Sequence, residues 1–341
     1  MAIRFDAHGR ISKRRLVLIA VAVIAVLAGI FLLIDYLENR GNRPEAKGDF
    51  NARYQYDETV QVDGHTYRRK VNLTTILLMG IDDYAESGPA IRNREGGQAD
   101  FLRLVVIDKN AKRVSQLAID RDTMTPITIL GVTGKESGKR TLQISLSHAF
   151  GNGKERSCEL TRQAVEEMLS GSLLRVRIDN YISMKLAMLP ILNDALGGVT
   201  VTVEDEFNDP SLPLGATVRL QGDQVETFVR SRMTVGDGTN ASRMRRQQQF
   251  ISAATALLNE KLHQDDGFVD SLYDELNPYL VKDISKSRLS LEMYGAKDYA
   301  RPEVYEIPGD HVRGSDGFAE FHADEKQMQQ IALTLFYDQL N

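Results

Sequence analysis

The longest apolar segment of the chain lies near its N-terminus. Leu16–Ile34 contains only apolar residues and glycine. As a helix this segment would span roughly 28 Å, close to the hydrocarbon thickness of a bilayer. The alternative, a cleaved signal peptide, requires a shorter apolar core and a small-residue cleavage site. The run instead ends in FLLIDYLENR. The pattern therefore favours an uncleaved membrane anchor over residues 16–35.

Charges beside this anchor predict its orientation. Lys13, Arg14 and Arg15 directly precede it, and acidic residues follow it. Basic residues concentrate on the cytoplasmic side of membrane anchors. We therefore expect a cytoplasmic tail at 1–15 and everything after the anchor outside the cell.

The residues after the anchor divide into two parts. Residues 36–58 are polar and charged and contain Gly and Pro, which predicts a stem. Residues 59–341 carry regular apolar patterns and form the predicted extracellular domain. This domain opens with Asp63-Gly64 between two alternating runs, which is typical of a two-residue hairpin turn.

Three apolar runs of strand length follow the hairpin. Leu73–Met79 is almost wholly apolar and ends at a glycine, and Phe101–Asp108 and Val114–Asp120 are joined by a short polar turn. Such runs suit strands that are buried on both faces.

Helical spacing appears in the second half of the chain. Helices are predicted from Ser157 to Ser170, from Met184 to Leu196, from Asn240 to Leu262 and from Asp324 to Gln339, with a strand at Val199–Val203. Strands interspersed with helices predict an α/β sandwich.

Charge narrows the possible functions. The chain has a formal net charge of −5, although its cytoplasmic tail is basic. An acidic body argues against a general nucleic-acid binder, which needs a broad basic surface. The single cysteine, Cys158, can form no internal disulfide and fits an ordinary helix position.

Two aspartates lie at the ends of neighbouring predicted strands. Asp82 follows the run that ends at Gly80, and Asp100 follows Gln98 and precedes Phe101. Carboxylates at adjacent strand ends could share Mg²⁺, which prefers oxygen ligands. Turn formation is the alternative, since Asp beside Gly is common in loops.

Arginines form a second group of candidates. Arg121 follows a strand, and its planar fork of donors suits phosphate oxygens, while Asp122 could orient that fork or act as a base. Arg230 and Arg232 alternate, so an extended segment would point both the same way. The alternative for Arg121 is a solvent-facing ion pair. The alternative for Arg230 and Arg232 is a solvated helix face.

A helical segment adds more cations. Arg243, Arg246 and Gln247 lie at i, i+3 and i+4 and would share one helix face. Together with the aspartates, these arginines suggest a clamp for a pyrophosphate. Phosphoryl transfer depends mainly on positioning and charge neutralisation. The sequence contains neither a Walker loop nor a G-x-S-x-G elbow, which argues against a nucleotide enzyme and a serine hydrolase.

These motifs, taken in order, resemble the LytR-CpsA-Psr family of cell-wall glycopolymer transferases. The matching segments are ILLMGID at 76–82, Ala99-Asp100, IDRDT at 119–123, QISLSHAFG at 143–151, DALGGV at 194–199, Leu220-Gln221-Gly222, FVRSR at 228–232 and RMRRQ at 243–247. The resemblance covers about 70–341 together with the tail and anchor.

The resemblance implies an α/β fold with a mixed central β-sheet flanked by helices. It also implies transfer of a teichoic acid or capsular polysaccharide from an undecaprenyl-pyrophosphate carrier to peptidoglycan. By position, Asp82 and Asp100 would bind Mg²⁺. The pyrophosphate would be held by three arginines, with support from neighbouring side chains; these are Arg121, Arg230 and Arg232, with Gln247, Arg243 and Arg246 in support.

The chain departs from the family pattern at three positions. Gln98 and Gln143 stand where Arg and Lys are usual, and Asp120 stands where Pro is usual. Both glutamines remain candidates for substrate binding. A non-catalytic, membrane-anchored binder of lipid pyrophosphate or wall polymer is the competing hypothesis. An enzyme would require Mg²⁺-dependent transfer, whereas a binder would show affinity alone.

Overall fold

The computed structural model describes residues 59–82, 96–131, 134–231, 234–315 and 317–340, with the backbone alone at 82, 240, 241, 301 and 302. The predicted tail, anchor and stem lie outside the described residues. Within the described ranges, every helix is either too short or too polar to cross a bilayer.

Strands take up much of the described chain. Their bounds are β1 Thr59–Val62, β2 His65–Arg69, β3 Leu73–Asp82, β4 Gln98–Asp108, β5 Arg113–Ile119, β6 Met124–Leu130, β7 Glu136–Gln143, β8 Asn180–Lys185, β9 Thr200–Thr202, β10 Thr217–Arg219, β11 Leu280–Lys282, β12 Ala300–Glu306, β13 Gly309–Arg313, β14 Ala319–Ala323 and β15 Tyr337–Gln339.

Helices alternate with these strands. Their bounds are α1 Leu146–Ala149, α2 Glu155–Ser170, α3 Leu189–Leu196, α4 Gln224–Arg230, α5 Asn240–Gln264, α6 Phe268–Leu276, α7 Lys286–Gly295 and α8 Glu325–Phe336, with short 3₁₀ segments at Leu186–Met188 and Asn277–Tyr279.

A six-stranded mixed sheet lies at the centre, in the order β11-β8-β3-β4-β5-β12. The pairs β3–β8 and β5–β12 are parallel, and the remaining neighbours are antiparallel. The sequence explains this position, because β3 and β4 are nearly continuous apolar runs that suit burial on both faces. The predicted mixed α/β fold is confirmed.

Alternate residues of the central strands face two different layers. On one face, Leu77, Leu102, Leu104 and Leu117 join the largest apolar core, to which α2 and α8 contribute. The other face carries Phe101, Arg103, Ala118 and Glu306 and meets the N-terminal part of α5. We call it the α5 face of the sheet.

Local patterns predicted several elements correctly. Asp63 and Gly64 have positive φ and join β1 to β2 in a two-residue turn, as expected. Two predicted helices were wrong at one end. Met184 belongs to β8, where it pairs with Leu280, and the last helix ends at Phe336, where β15 begins.

Candidate functional site

A β-bulge brings Asp100 onto the α5 face of the sheet. Gly80 pairs with Phe101 and Ile81 pairs with Ala99, so Asp100 is the extra residue between them. A bulge re-aims side chains at the end of a ladder. Ala99 points into the apolar core, whereas Asp100 and Phe101 line one pocket. Gly80 permits this arrangement, because a Cβ there would lie 2.9 Å from the Phe101 Cβ.

The turn after β5 is fixed by Asp120. Its Oδ1 accepts a hydrogen bond of 2.8 Å from the Asp122 N–H, and its carbonyl accepts one of 2.6 Å from the Thr123 hydroxyl. Such Asx turns hold tight chain reversals. The Asp122 carbonyl also accepts a bond of 2.8 Å from the Phe321 N–H. Asp120 thus fixes the direction in which Arg121 leaves the sheet.

Arg121 lies at the centre of the predicted residues. Its Nη1 is 2.5 Å from Asp100 Oδ1, its Nε is 3.3 Å from Asp122 Oδ1, and its Nη2 donates to Gln98 Oε1. The structure therefore brings Gln98, Asp100, Arg121 and Asp122 together, and we call these four residues the Arg121 cluster. One guanidinium faces two carboxylates, so the cluster carries one net negative charge.

A pocket opens beside the Arg121 cluster, between the α5 face of the sheet and α5 itself. The sheet and the turn after β5 supply charged and apolar walls, and α5 supplies amides and a methionine. The main lining side chains are Asp100, Phe101, Arg103, Ala118, Arg121, Glu306, Met244, Gln247 and Gln248. We call this space the site pocket.

Arg246 anchors the end of α4 to α5. Its side chain is only 4% exposed. Its Nε donates to the Phe228 carbonyl over 3.0 Å, its Nη2 donates to the Ser231 carbonyl, and its Nη1 pairs with Asp205. All three guanidinium nitrogens therefore bind protein acceptors. Arg246 positions the segment that contains Arg230.

Gln247 contacts both the end of α4 and the site pocket. Its Nε2 donates to the Val229 carbonyl over 3.2 Å, and the residue also lines the site pocket. It thus links the pocket to the same segment at the end of α4. Arg243, one turn before it, is buried at 6% exposure.

Arg230 differs from its expected local structure. It is the last residue of helix α4, not part of an extended segment, and its exposed guanidinium lies 2.8 Å from Glu226. The expected alternation with Arg232 is therefore wrong at Arg230, because the helix continues to that residue. Arg232 lies outside the described residues.

Two other predicted residues are placed differently. Gln143, at the end of β7, donates to the Ala319 carbonyl over 3.1 Å and is absent from the lining of the site pocket. The backbone of Asp82 ends β3 directly opposite Gln98, within one bulge of Asp100. The strand ends therefore meet as expected, while the Asp82 side chain lies outside the described part.

The donor set around Arg121 fits a hard divalent cation. The carboxylate oxygens of Asp100 and Asp122 are of the kind that Mg²⁺ prefers, and Mg²⁺ usually keeps several waters and takes few protein ligands. Within the described residues, no group of three His, Cys, Asp or Glu side chains could enclose a metal alone. Any cation here would share its ligands with substrate and water.

Sequence reasoning missed Arg103. This residue interrupts the apolar run of β4, is 4% exposed and lines the site pocket. Burial lowers its pKa to about 10, against an opposing effect of Glu306. The guanidinium therefore stays charged at neutral pH. A lone charge inside an apolar strand was the available signal.

Known proteins resemble this chain in sequence and fold. Polyisoprenyl-teichoic acid–peptidoglycan teichoic acid transferase TagU of Bacillus licheniformis is 27% identical over 253 residues, which cover 72% of this chain and 71% of that protein. The crystal structure of B. subtilis TagV has a TM-score of 0.59 at 21% identity, covering 78% of this chain and 96% of that one. TagT bound to LI-WTA gives 0.56 at 20% identity, covering 77% and 89%.

At these identities the superpositions establish a shared fold. The decisive comparison is with the LytR_cpsA_psr family, whose model matches residues 42–336. This range includes the Arg121 cluster, the site pocket and the arginines of α4 and α5. The resemblance inferred from the motifs is therefore confirmed, and the chain belongs to the LytR_cpsA_psr family.

Proposed function

We propose that this protein transfers an anionic or capsular glycopolymer from a polyprenyl-pyrophosphate carrier to peptidoglycan. The carrying observation is the Arg121 cluster, which lies beside a pocket in a chain of this family. The name of the TagU relative supports the class of donor and acceptor. The alternative is a non-catalytic binder of the same lipid pyrophosphate.

The diphosphate of the donor binds between the sheet and the end of α4. Arg121 is oriented at the end of the sheet by Gln98 and the two carboxylates. The second N–H of each Nη is the donor proposed for phosphate oxygens. Arg230, at the end of α4, and Arg232, which lies outside the described residues, are proposed to bind the same diphosphate. Arg246 and Gln247 support them by binding the carbonyls of the segment at the end of α4. Charge-assisted bonds from arginine forks suit phosphate oxygens.

Mg²⁺ is the proposed cofactor, and Asp100 and Asp82 are its proposed protein ligands. The negative charge of the Arg121 cluster favours a cation there. When bound, the ion would neutralise phosphate charge and stabilise charge that develops in the transition state. The remaining ligands would be phosphate oxygens and water.

The proposed reaction breaks the phosphoanhydride bond of the donor and forms a phosphodiester bond to the acceptor. The oxygen of an acceptor hydroxyl on peptidoglycan bonds to the phosphorus that carries the polymer, and the bridging P–O bond to the second phosphorus breaks. Polyprenyl monophosphate leaves, and Asp122 accepts the hydroxyl proton. The support for this proposed role is the contact of Asp122 with Arg121, whose Nε lies 3.3 Å from the carboxylate.

This reaction requires the domain to face the wall. The proposed topology is a cytoplasmic tail at 1–15, an anchor at 16–35 in the membrane lipid and a stem at 36–58, with 59–341 outside. Protease treatment of intact protoplasts tests it. The domain should be cut from the outside, whereas protection until lysis would contradict the topology.

The activity is tested with the full chain in detergent micelles. The substrates are a polyprenyl-pyrophosphate-linked glycopolymer and peptidoglycan strands, and the product is polymer attached to the strands. Arg121→Met should lower the rate by about 100-fold or more, because a preorganised cation is lost from the transition state. Arg113→Met is the matched control, since Arg113 is exposed and pairs with the exposed Glu303.

Two results would decide against the proposal. Equal transfer rates in Arg121→Met and the wild type would remove the Arg121 cluster from the chemistry. Tight binding of the donor by the wild type, without transfer at any Mg²⁺ concentration, would favour the non-catalytic alternative. Circular dichroism of each variant checks that the fold is intact.

A further inference from the structure

Arg103 occupies an unusual position for a charged residue. It lies in the interior of β4, where it pairs with Leu78 of β3 and Ala118 of β5. Its neighbours Leu102 and Leu104 point into the apolar core, so Arg103 points to the α5 face of the sheet. There it is 4% exposed and forms part of the floor of the site pocket.

The protein satisfies this guanidinium only in part. Its Nη1 donates to Gln116 Oε1 over 2.9 Å, and its charge lies 5.7 Å from the centre of the Phe101 ring. Its Nε is buried and has no hydrogen-bond partner among the described residues. The charge of Glu306 raises the pKa of Arg103 by a longer-range electrostatic interaction, but the described side chains form no ion pair with Arg103. A buried charge with a spare donor is costly unless something pairs with it.

The place of Arg103 on the wall of the site pocket indicates the missing partner. The site pocket already contains Arg121, which pairs with Asp100 and Asp122. An anion that entered the pocket would need further positive charge, and Arg103 is a second buried guanidinium on its wall. Carboxylate and phosphate oxygens both suit a guanidinium donor, and the proposed substrate supplies phosphate.

We propose that Arg103 is a substrate-binding residue that donates from the floor of the site pocket to the diphosphate of the polyprenyl donor. Arg121 holds the diphosphate from the end of the sheet, and Arg103 holds it from below. This inference rests on the proposed function for the identity of the anion. The geometry of Arg103 and the site pocket stands without it.

Two probes separate the phosphate from the prenyl chain. Geranylgeranyl pyrophosphate and geranylgeraniol are titrated into the full chain in detergent micelles. Arg103→Met keeps the length of the side chain and removes its charge. It should weaken binding of the pyrophosphate by about 10- to 100-fold, as expected for charge-assisted hydrogen bonds, and leave binding of the alcohol unchanged.

Further variants control for folding and for general charge. Arg103→Lys retains the charge without the planar fork, so its loss of affinity should be smaller. Arg113→Met removes an exposed arginine from the neighbouring strand β5 and should bind both probes as the wild type does. Since a buried ion is often replaced by an apolar residue without loss of stability, Arg103→Met should fold.

Three outcomes would overturn the inference. They are equal pyrophosphate affinity in Arg103→Met and the wild type, equal losses for both probes, and no binding of pyrophosphate by the wild type. Failure of the proposed function has a different signature. In that case Arg103 would still control pyrophosphate affinity, while the wild type would transfer no polymer in the assay with Arg121→Met.

Discussion

Replacing Arg246 by Met should destabilise the fold substantially. This side chain donates to two backbone carbonyls and to Asp205, and it also lies over the Phe207 ring at 5.4 Å. In Arg246→Met the two carbonyls lose this donor, and Asp205 keeps the Ser242 hydroxyl at 2.9 Å. The variant therefore leaves the Phe228 and Ser231 carbonyls without this donor and the Asp205 carboxylate without its cation.

The magnitude follows from the burial of these groups. Breaking a buried ion pair costs about 3–5 kcal/mol when the remaining charge stays buried. The Asp205 side chain is 15% exposed, so water screens it in part and the lower end applies. We expect Arg246→Met to lower the free energy of unfolding by about 3 kcal/mol. Asp205→Asn, which keeps its shape, should cost about 1–2 kcal/mol.

A double-mutant cycle measures the interaction energy between Arg246 and Asp205. The free energy of unfolding is measured by urea titration of the full chain in detergent micelles, followed by circular dichroism. The double variant should be less destabilised than the sum of the single variants by about 1–2 kcal/mol, because groups in contact are not additive. Arg245→Met is the matched control at the adjacent, exposed position and should change stability by less than about 0.5 kcal/mol. An unchanged urea midpoint in Arg246→Met, or strict additivity in the cycle, would refute this reasoning.

Three further predictions concern Cys158, Glu166 and Gly151. Burial raises the pKa of the Cys158 thiol to about 12, so a thiol reagent at pH 8 should label it only after denaturation, as mass spectrometry can follow. Burial also raises the pKa of Glu166, so its ionised form weakens the fold. Glu166→Gln should match the wild type in urea stability at acid pH and exceed it at neutral pH, and a constant difference would contradict this. Gly151→Ala would place a Cβ 2.5 Å from the Ser157 Cα and should lower stability by about 1–3 kcal/mol, whereas Gly295→Ala meets nothing within 4 Å and should lower it by no comparable amount.

Local patterns determined much of the fold. The Asp63-Gly64 turn and the apolar runs of β3, β4 and β5 contain their own signals, so the hairpin and the sheet could be predicted. The errors arose where distant residues pair. Met184 continues β8 because Gly80 and Leu280 lie on either side of it, and the chain after Phe336 forms β15 because β2 offers an edge. Helical spacing in the sequence carries no information about such partners.

In the candidate site, too, some features have local sequence signals and others depend on distant partners. The strand ends of Gln98, Asp100 and Arg121 meet because the strands that carry them are neighbours, and this much followed from the sequence. The bulge at Asp100 was not predictable, because it depends on the register of β3 against β4. Arg103 was missed for a related reason. Alternation along β4 tells which residues share a face, but the partner of that face, α5, lies more than a hundred residues away.

The arginines of α5 show how far a motif can be interpreted. Spacing placed Arg243 and Arg246 on one helix face, and both are indeed buried on α5. That face meets the end of α4 and Asp205, so the donors of Arg246 are used by the protein itself. If an Arg246 variant loses activity, the first explanation is therefore that the segment containing Arg230 has moved. Loss of a phosphate contact is the second explanation. A variant shows that a residue binds the substrate only if its urea midpoint equals that of the wild type. Arg103 suits that test better than Arg246, because fewer of its donors bind other protein groups.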